Sequence, residues 1–260
     1  MEQPKYHGIF DSHAHYDDER FQDDQADVFE KIKQHGVSAV INVGCNLPTC
    51  QSVIDLAEKY PQFYCSVGIH PHDAANIPED YLQQLAQMSK YQKVVAIGEI
   101  GLDYHYDSPS RKQQLVIFEQ QLQLAKQLQL PVIIHSRDAT EDTLKLLKQY
   151  KPQGVVHCFS GSAQTAKEIV SLGMYLGFTG VLTFQNAKRA QQAVEVTTTD
   201  RLLLETDCPY MAPVPYRGKR CDSSMIAFTA EKMAQIKGIS TQQMIDFARE
   251  NTCRLFQITL

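Results

Sequence analysis

Short apolar runs alternate with amphipathic stretches along the whole chain. The apolar runs predict strands at "GIF", "SAVINVG", "YCSVGIH", "VVAIGE", "PVIIHS", "GVVHCF", "MYLGFTG" and "RLLLETD". Between and after them, apolar residues recur at three- and four-residue steps, the spacing of a helix with one buried face. Leu115, Phe118 and Leu122 show this spacing within the predicted helix at residues 110–130.

This alternation predicts the fold class. Eight strands, each followed by a helix, in about 250 residues are typical of a (β/α)8 barrel, with an open doubly wound sheet as the alternative. No internal repeat, low-complexity segment or linker interrupts the pattern. We therefore predict a single α/β domain over residues 1–260, a TIM barrel with its functional site at the C-terminal rim of the strands.

The composition is that of an ordinary globular protein, with 43% hydrophobic and 21% charged residues. No run approaches the roughly 18 consecutive apolar residues of a membrane span, and "MEQPKYHG" lacks the basic-then-apolar order of a signal peptide. Seven cysteines without paired spacing fit a reducing compartment, so we expect a cytoplasmic protein. The net charge of −5 argues against a broad electropositive surface, but it leaves a nucleic-acid substrate open because divalent cations reverse the local field.

Ionisable residues stand at the C-terminal ends of five predicted strands, which share one rim in a barrel. His13 and His15 are two residues apart, so in a strand their side chains face the same way. The whole set is His13, His15, Glu99, His135, His157, Glu205 and Asp207. Each residue alone is compatible with a hydrogen-bonded histidine or a salt-bridging carboxylate. Together they predict a metal centre, because ionisable groups at the ends of apolar strands are costly unless they are paired or bind metal.

The number of candidate ligands indicates more than one ion. A single tetrahedral ion with an open position needs three protein ligands, whereas this rim offers six beside Glu205. Two ions that share Glu99, about 3.5–4 Å apart, account for the six and can clamp the attacking and leaving oxygens of a phosphate ester. Nitrogen and oxygen donors suit zinc or manganese, and magnesium less comfortably, so the metal stays open among Mg, Mn and Zn.

A series of short motifs runs from one end of the chain to the other. They are "DSHAH", "GIHPH", "GEIGLDY", "HSRDA", "HCFSGS", "GFTGVLTFQNAK", "LLETDCPYMAP", "RGK" and "RENTCRLF". In this order and spacing they resemble the TatD-type metal-dependent deoxyribonucleases, which belong to the broader amidohydrolase-like barrels. The resemblance covers nearly the whole chain.

The resemblance implies how the metal ligands are divided and what reaction they serve. Glu99 is expected to be shared between two ions, one held with His13, His15 and Asp207 and the other with His135 and His157. The implied reaction is hydrolysis of phosphodiester bonds in DNA by a metal-activated water. We expect a 3′–5′ exonuclease on single-stranded DNA, independent of base sequence, with no membrane and no obligate protein partner implied. We also expect a monomer.

Carboxylates near the last ligand and near Glu99 are candidates for further roles. We hypothesise that Asp207 orients the attacking water or accepts its proton. Glu205 faces the same way two residues earlier, and it is a candidate for a further base or an extra ligand. Asp103, in "GLDY", is expected to brace its loop rather than to bind metal.

Basic residues on the same rim are candidates for substrate binding. Arg137 follows a ligand histidine and is the candidate phosphate anchor, because a guanidinium binds phosphate in a bidentate fork. The alternative for Arg137 is a salt bridge to Asp138. The remaining candidates for substrate contacts are His70 and Arg217.

The loop after the last predicted strand departs from the family. Many relatives continue "RGKR" with asparagine, an acidic or amide residue and proline, where this chain has Cys221, Asp222 and Ser223. The metal ligands are untouched by this departure. Because the loop is expected to overhang the cleft, the departure bears on substrate contacts.

Two other functions are compatible with such a barrel. One is metal-dependent hydrolysis of an amide or an ester, for example by an aminoacyl-tRNA deacylase. Binuclear amidases of the broader group bridge their metals with a modified lysine, whereas no lysine ends a predicted strand here, which favours phosphoester chemistry. The other is a non-catalytic metal-binding protein, which the complete ligand set disfavours because mere binding does not need an open two-ion site.

Overall fold

Eight parallel strands form the centre of the molecule in the computed structural model, which describes residues 5–106 and 108–260. Each strand is hydrogen bonded to the next, in the order β1 (Ile9–Ala14), β2 (Val37–Val43), β3 (Phe63–Val67), β4 (Val94–Asp103), β5 (Val132–Arg137), β6 (Gly154–Val156), β7 (Tyr175–Phe178) and β8 (Leu202–Leu204). The sheet closes where Ala14 pairs with Cys208 and the Asp207 amide donates to the His13 carbonyl at 2.9 Å. The predicted (β/α)8 barrel is confirmed, and the open-sheet alternative is wrong. Residues 1–4 and 107 of the predicted domain lie outside the described part.

Helices follow the strands on the outside of the barrel. Within the described residues they are α1 (Gln25–Gln34), α2 (Leu47–Lys59), α3 (Tyr81–Met88), α4 (Arg111–Leu128), α5 (Thr140–Tyr150), α6 (Ala163–Ser171), α7 (Lys188–Val196), α8 (Ile226–Lys237) and α9 (Thr241–Phe256). Asn46, Ser110 and Ser240 begin α2, α4 and α9 with capping boxes, in which the side chain accepts from the amide three residues later. Across 5–106 and 108–260, no helix has the length and apolar character needed to cross a membrane.

Buried apolar residues form two clusters. The larger one, which includes Phe63 and Phe118, lies between the strands and the surrounding helices. The smaller one fills the barrel interior around Phe10, and the last turn of α9 adds Leu255 and Phe256 to it. The last turn of α9 thus covers the end of the barrel where the strands begin. The polar residues lie at the opposite end, where the strands finish.

The fourth strand is longer than predicted. The apolar pattern predicts its end at Glu99, whereas β4 continues to Asp103 and pairs with β5 as far as Arg137. Gly101 permits this close pairing, because a Cβ there would come within 2.0 Å of the His135 carbonyl oxygen. Glu99 therefore lies inside a strand, and Asp103 reaches the rim beside β5.

Candidate metal centre

Glu99 lies at the centre of a cluster formed by four of the predicted histidines. Its Oε2 atom lies 3.4 Å from His13 Nε2 and 3.9 Å from His15 Nε2. Its Oε1 atom lies 2.8 Å from His135 Nδ1 and 2.6 Å from His157 Nε2. Each carboxylate oxygen therefore faces its own pair of histidines.

Asp207 adds a second carboxylate on the β1 side of the cluster. Its Oδ1 atom lies 3.3 Å from His15 Nε2 and 3.6 Å from His13 Nε2. The residue follows β8 with a φ of 59°, in the left-handed region, and its amide donates to the His13 carbonyl. This conformation turns the carboxylate toward the histidines of the neighbouring strand, so all of the predicted ligands meet at one place.

The donor atoms of the cluster fit divalent cations. His13 Nε2 and His15 Nε2 lie 3.1 Å apart, and His135 Nδ1 and His157 Nε2 lie 3.3 Å apart. The lone pairs of neutral imidazoles and ionised carboxylates that converge in this way can bind a divalent cation. Imidazole nitrogen and carboxylate oxygen are also donors that zinc and manganese accept in proteins.

Burial and neighbouring charges set the protonation states of the candidate ligands. Burial would lower the pKa values of His15 and His157, but Cys45 and Asp207 raise the pKa of His15 well above its usual range and Glu99 raises that of His157, so a bound cation would replace a proton on each. Burial, helped by the neighbouring His157, lowers the pKa of His13 to about 4, so its imidazole is neutral, the form that binds metal. Burial would raise the pKa of Glu99, but His157 and His13 hold that pKa well below its usual range. Burial would likewise raise the pKa of Asp207, but the hydrogen bond from His15 lowers it. Both carboxylates are therefore ionised at neutral pH.

Asp103 supports one of the ligands, a role that the sequence did not reveal. Its Oδ2 atom lies 3.1 Å from His135 Nε2 and 3.0 Å from His72 Nε2, and its Oδ1 atom accepts from the His105 amide at 2.9 Å. Asp103 thus braces its loop, as predicted, and also turns His135 Nδ1 toward Glu99. Burial would lower the pKa of His135, but its hydrogen bonds to Asp103 and Glu99 raise it to about 9, and a bound cation would replace this proton.

Glu205 lies behind the ligands rather than in the open cleft. Its side chain is fully buried, accepts from the Cys158 amide, and lies 3.7 Å from His157 Nδ1. Burial raises its pKa to about 7. Gly177 makes room for this carboxylate, since a Cβ there would come within 2.0 Å of Glu205 Oε2. Glu205 therefore lies beside His157 without a hydrogen bond to it, and with His13 and His157 it forms a group that could hold a cation, away from the open cleft.

The three candidates for substrate contact occupy different positions. His70 Nε2 lies 3.8 Å from Glu99 Oε1, beside the His135 group, so His70 is close enough to be a further ligand. Arg137 is exposed, lines the cleft above the centre and stacks on the Tyr106 ring. It forms no ion pair with Asp138, which lies 3.2 Å from His105 Nδ1 instead. Arg217 lies outside this cleft, and its guanidinium packs over the Phe184 ring, 4.5 Å from the ring centroid.

The segment that departs from the family does not line the cleft, whereas Tyr210, earlier in the same loop, does. Cys221, Asp222 and Ser223 are buried. Asp222 pairs with Lys31 of α1 at 2.6 Å, and Ser223 donates to Asp11 of β1 at 2.6 Å. The residues that depart from the family therefore contact the first strand and first helix, at the place where the two ends of the barrel meet.

Comparisons with known proteins agree with this centre. The family model described as TatD related DNase matches residues 10–257. The uncharacterized metal-dependent hydrolase YabD of Bacillus subtilis is 41% identical over 96% of this chain and 99% of its own. The 3′-5′ ssDNA/RNA exonuclease TatD of Citrobacter rodentium is 32% identical, over 97% of this chain and 99% of its own. The crystal structure of YjjV, a TatD homolog from Escherichia coli K12, superposes with a TM-score of 0.91 at 31% identity, over 96% of this chain and 98% of that one. This chain is therefore a metal-dependent hydrolase that belongs to the TatD-related DNase family.

Proposed function

We propose that this hydrolase cleaves phosphodiester bonds of DNA with two divalent ions, Mg, Mn or Zn, bound on either side of Glu99. The observation that carries the proposal is the division of the Glu99 oxygens, one facing His13 and His15 and the other facing His135 and His157. Asp207 completes the first group. When bound, two such cations lower the pKa of a water molecule and balance charge that develops on phosphoryl oxygens.

The residues around the ions have separate tasks in this proposal. Asp207 keeps part of its carboxylate accessible from the cleft, with 13% of the side chain exposed, so it is placed to accept the proton of the attacking water. Asp103 holds His135 in orientation through a 3.1 Å hydrogen bond, and the buried carboxylate of Glu205 lies beside His157. Arg137, exposed on the cleft wall, binds a phosphate oxygen through its guanidinium.

We further propose a 3′–5′ exonuclease that acts on single strands without reading the base sequence. The name of the Citrobacter relative, a 3′-5′ ssDNA/RNA exonuclease, supports this polarity and substrate. No lysine lines the cleft in the part of the chain that the structure describes, which supports phosphoester rather than amide hydrolysis. We propose a monomer in the cytoplasm, where seven free cysteines are compatible with a reducing environment.

The test is a nuclease assay on metal-stripped protein. Single-stranded DNA labelled at its 5′ end is incubated with magnesium, manganese or zinc and with one of three proteins: wild type, His135→Ala, or the matched control His35→Ala. The control changes an exposed histidine directly after α1. We expect stepwise shortening from the 3′ end that needs metal, survives in the control and is lost in His135→Ala. Absence of cleavage with every metal would refute the proposed nuclease activity. The same protein would then be assayed with aminoacyl esters as substrates.

A further inference from the structure

The metal centre opens between two walls of opposite charge. The cleft above it has a volume of about 690 Å³, and the loops after β1 and β3 line one wall with four carboxylates, of which Asp18 is paired with Arg20, whereas Asp17, Glu19 and Asp73 form no ion pair within the described residues. Arg137, at the end of β5, stands across the barrel from them. A polyanion is therefore repelled on the β1–β3 side and attracted on the β5 side.

Two further cavities continue from the centre on the β5 side. The first, of about 200 Å³, lies between the loops after β5 and β6 and shares His157 and Arg137 with the cleft. The second adjoins it, because Arg189 lines both. Lys188 and Phe184 also line this second cavity, so the path runs over the loop between β7 and α7.

Four cations stand along this path, and we call them the cationic track: Arg137, Lys188, Arg189 and Arg217. Arg217 belongs to it because its guanidinium lies 4.5 Å from the centroid of the Phe184 ring, which lines the second cavity. The track thus leads from the metal centre across the loops after β5, β7 and β8. Phe184 offers an aromatic surface along it, a feature of channels for single-stranded nucleic acid.

Arg137 and Arg217 of the track contact aromatic rings, but no carboxylate neutralises the charge of any cation of the track in the described part of the chain. None of them forms an ion pair within residues 5–106 and 108–260. Other arginines on the same rim do, since Arg20 pairs with Asp18 at 2.8 Å. Lys188 and Arg189 are moreover the first two residues of α7, where the helix dipole disfavours positive charge. The positive charges of Lys188 and Arg189 therefore do not stabilise α7.

We propose that a single-stranded polynucleotide binds along the cationic track and reaches the metal centre from the β5–β8 side alone. The inference rests on the proposed phosphodiesterase function and adds where the polymer lies. The cations contact successive backbone phosphates, while the carboxylates of the opposite wall keep a continuing chain away. The scissile bond is then confined to the end of a strand, which is how the site acts as an exonuclease.

The test compares two double variants with equal changes in charge. Lys188→Gln with Arg189→Gln removes half of the track, and Lys33→Gln with Lys126→Gln removes two exposed cations from α1 and α4. Binding of a fluorescein-labelled oligothymidylate is followed by anisotropy over a range of salt concentrations. We expect the track variant to bind about tenfold more weakly, with a salt slope smaller by about 1.4, because each phosphate contact in a single strand contributes about 0.7.

A small substrate separates this inference from the proposed function. Bis(p-nitrophenyl) phosphate has no polymer to reach the track, so wild type and both double variants are expected to hydrolyse it at the same rate. Unchanged oligonucleotide binding in the track variant, or no binding by the wild type at low salt, overturns the track. If neither the wild type nor any variant hydrolyses the small ester, but the track variant alone loses oligonucleotide affinity, the proposed phosphodiesterase function is refuted and the proposed binding of a polynucleotide along the cationic track is supported.

Discussion

Ser223 donates a 2.6 Å hydrogen bond to the buried carboxylate of Asp11, which lies 212 positions earlier in the chain. Asp11 also accepts from the amide and the hydroxyl of Thr206, at 3.0 and 2.6 Å, and the Ser223 hydroxyl lies 2.7 Å from that of Tyr16. Because Thr206 directly precedes Asp207, this network joins the first strand, the last ligand and the final loop. The serine that departs from the family therefore stabilises the closure of the barrel beneath the metal centre.

Ser223→Ala is expected to lower the free energy of unfolding by about 1–3 kcal/mol, since a buried charged acceptor loses one of its donors. Urea denaturation of the metal-free protein measures the loss. Ser171→Ala, at an exposed serine in the last turn of α6, is the control and should stay within about 0.5 kcal/mol of wild type. Equal stability of Ser223→Ala and wild type would show that the remaining donors suffice for Asp11.

Gly177→Ala is expected to weaken metal binding about 10–100-fold, because the new methyl group would displace the buried Glu205 carboxylate, which lies 3.7 Å from His157 Nδ1. Isothermal titration of the metal-free protein with zinc gives the affinity. Gly173→Ala is the matched control, since no atom lies within 4 Å of a Cβ at this position. Its φ of 86° predicts some loss of stability but an unchanged zinc affinity. A wild-type affinity in Gly177→Ala would argue against a supporting role for Glu205.

Asp103→Asn should leave the fold intact and reduce hydrolysis or metal affinity about 10–100-fold, because an amide holds His135 less firmly than a carboxylate does. The measurement is the rate of ester hydrolysis as a function of metal concentration. Asp138→Asn serves as the control, since that carboxylate is 65% exposed and its one polar side-chain partner among residues 5–106 and 108–260 is His105. If both variants behave alike, Asp103 does no more than brace its loop.

Metal addition should raise the melting temperature of the stripped protein. An ion that binds the folded state alone stabilises it by about 2.7 kcal/mol at a hundredfold excess over its Kd, which corresponds to about 5–10 °C for a chain of this size. Differential scanning fluorimetry with zinc, manganese and magnesium measures the shift and ranks the metals. His135→Ala should show a smaller shift than His35→Ala, and the same melting temperature with and without every metal would speak against a metal centre.

The sequence by itself determined the barrel and the position of each candidate metal ligand along the chain. Strands and helices have different periods, and these periods are local, so alternating apolar runs predict eight strands without knowledge of their partners. The ends of parallel strands share one rim, and this is why His13, Glu99 and His157 were expected to meet. The TatD family followed from the order of the motifs that contain these residues.

Only the tertiary structure decided which residues support the ligands and where a polymer has room. Asp103 is hydrogen bonded to His135 of the next strand, Glu205 lies beside His157, and Ser223 contacts Asp11 from the far end of the chain. Such contacts depend on register and on the space left by Gly177, and no local period records either. The cationic track likewise collects residues from three separate loops, so its charge becomes visible only when the barrel brings those loops to one edge.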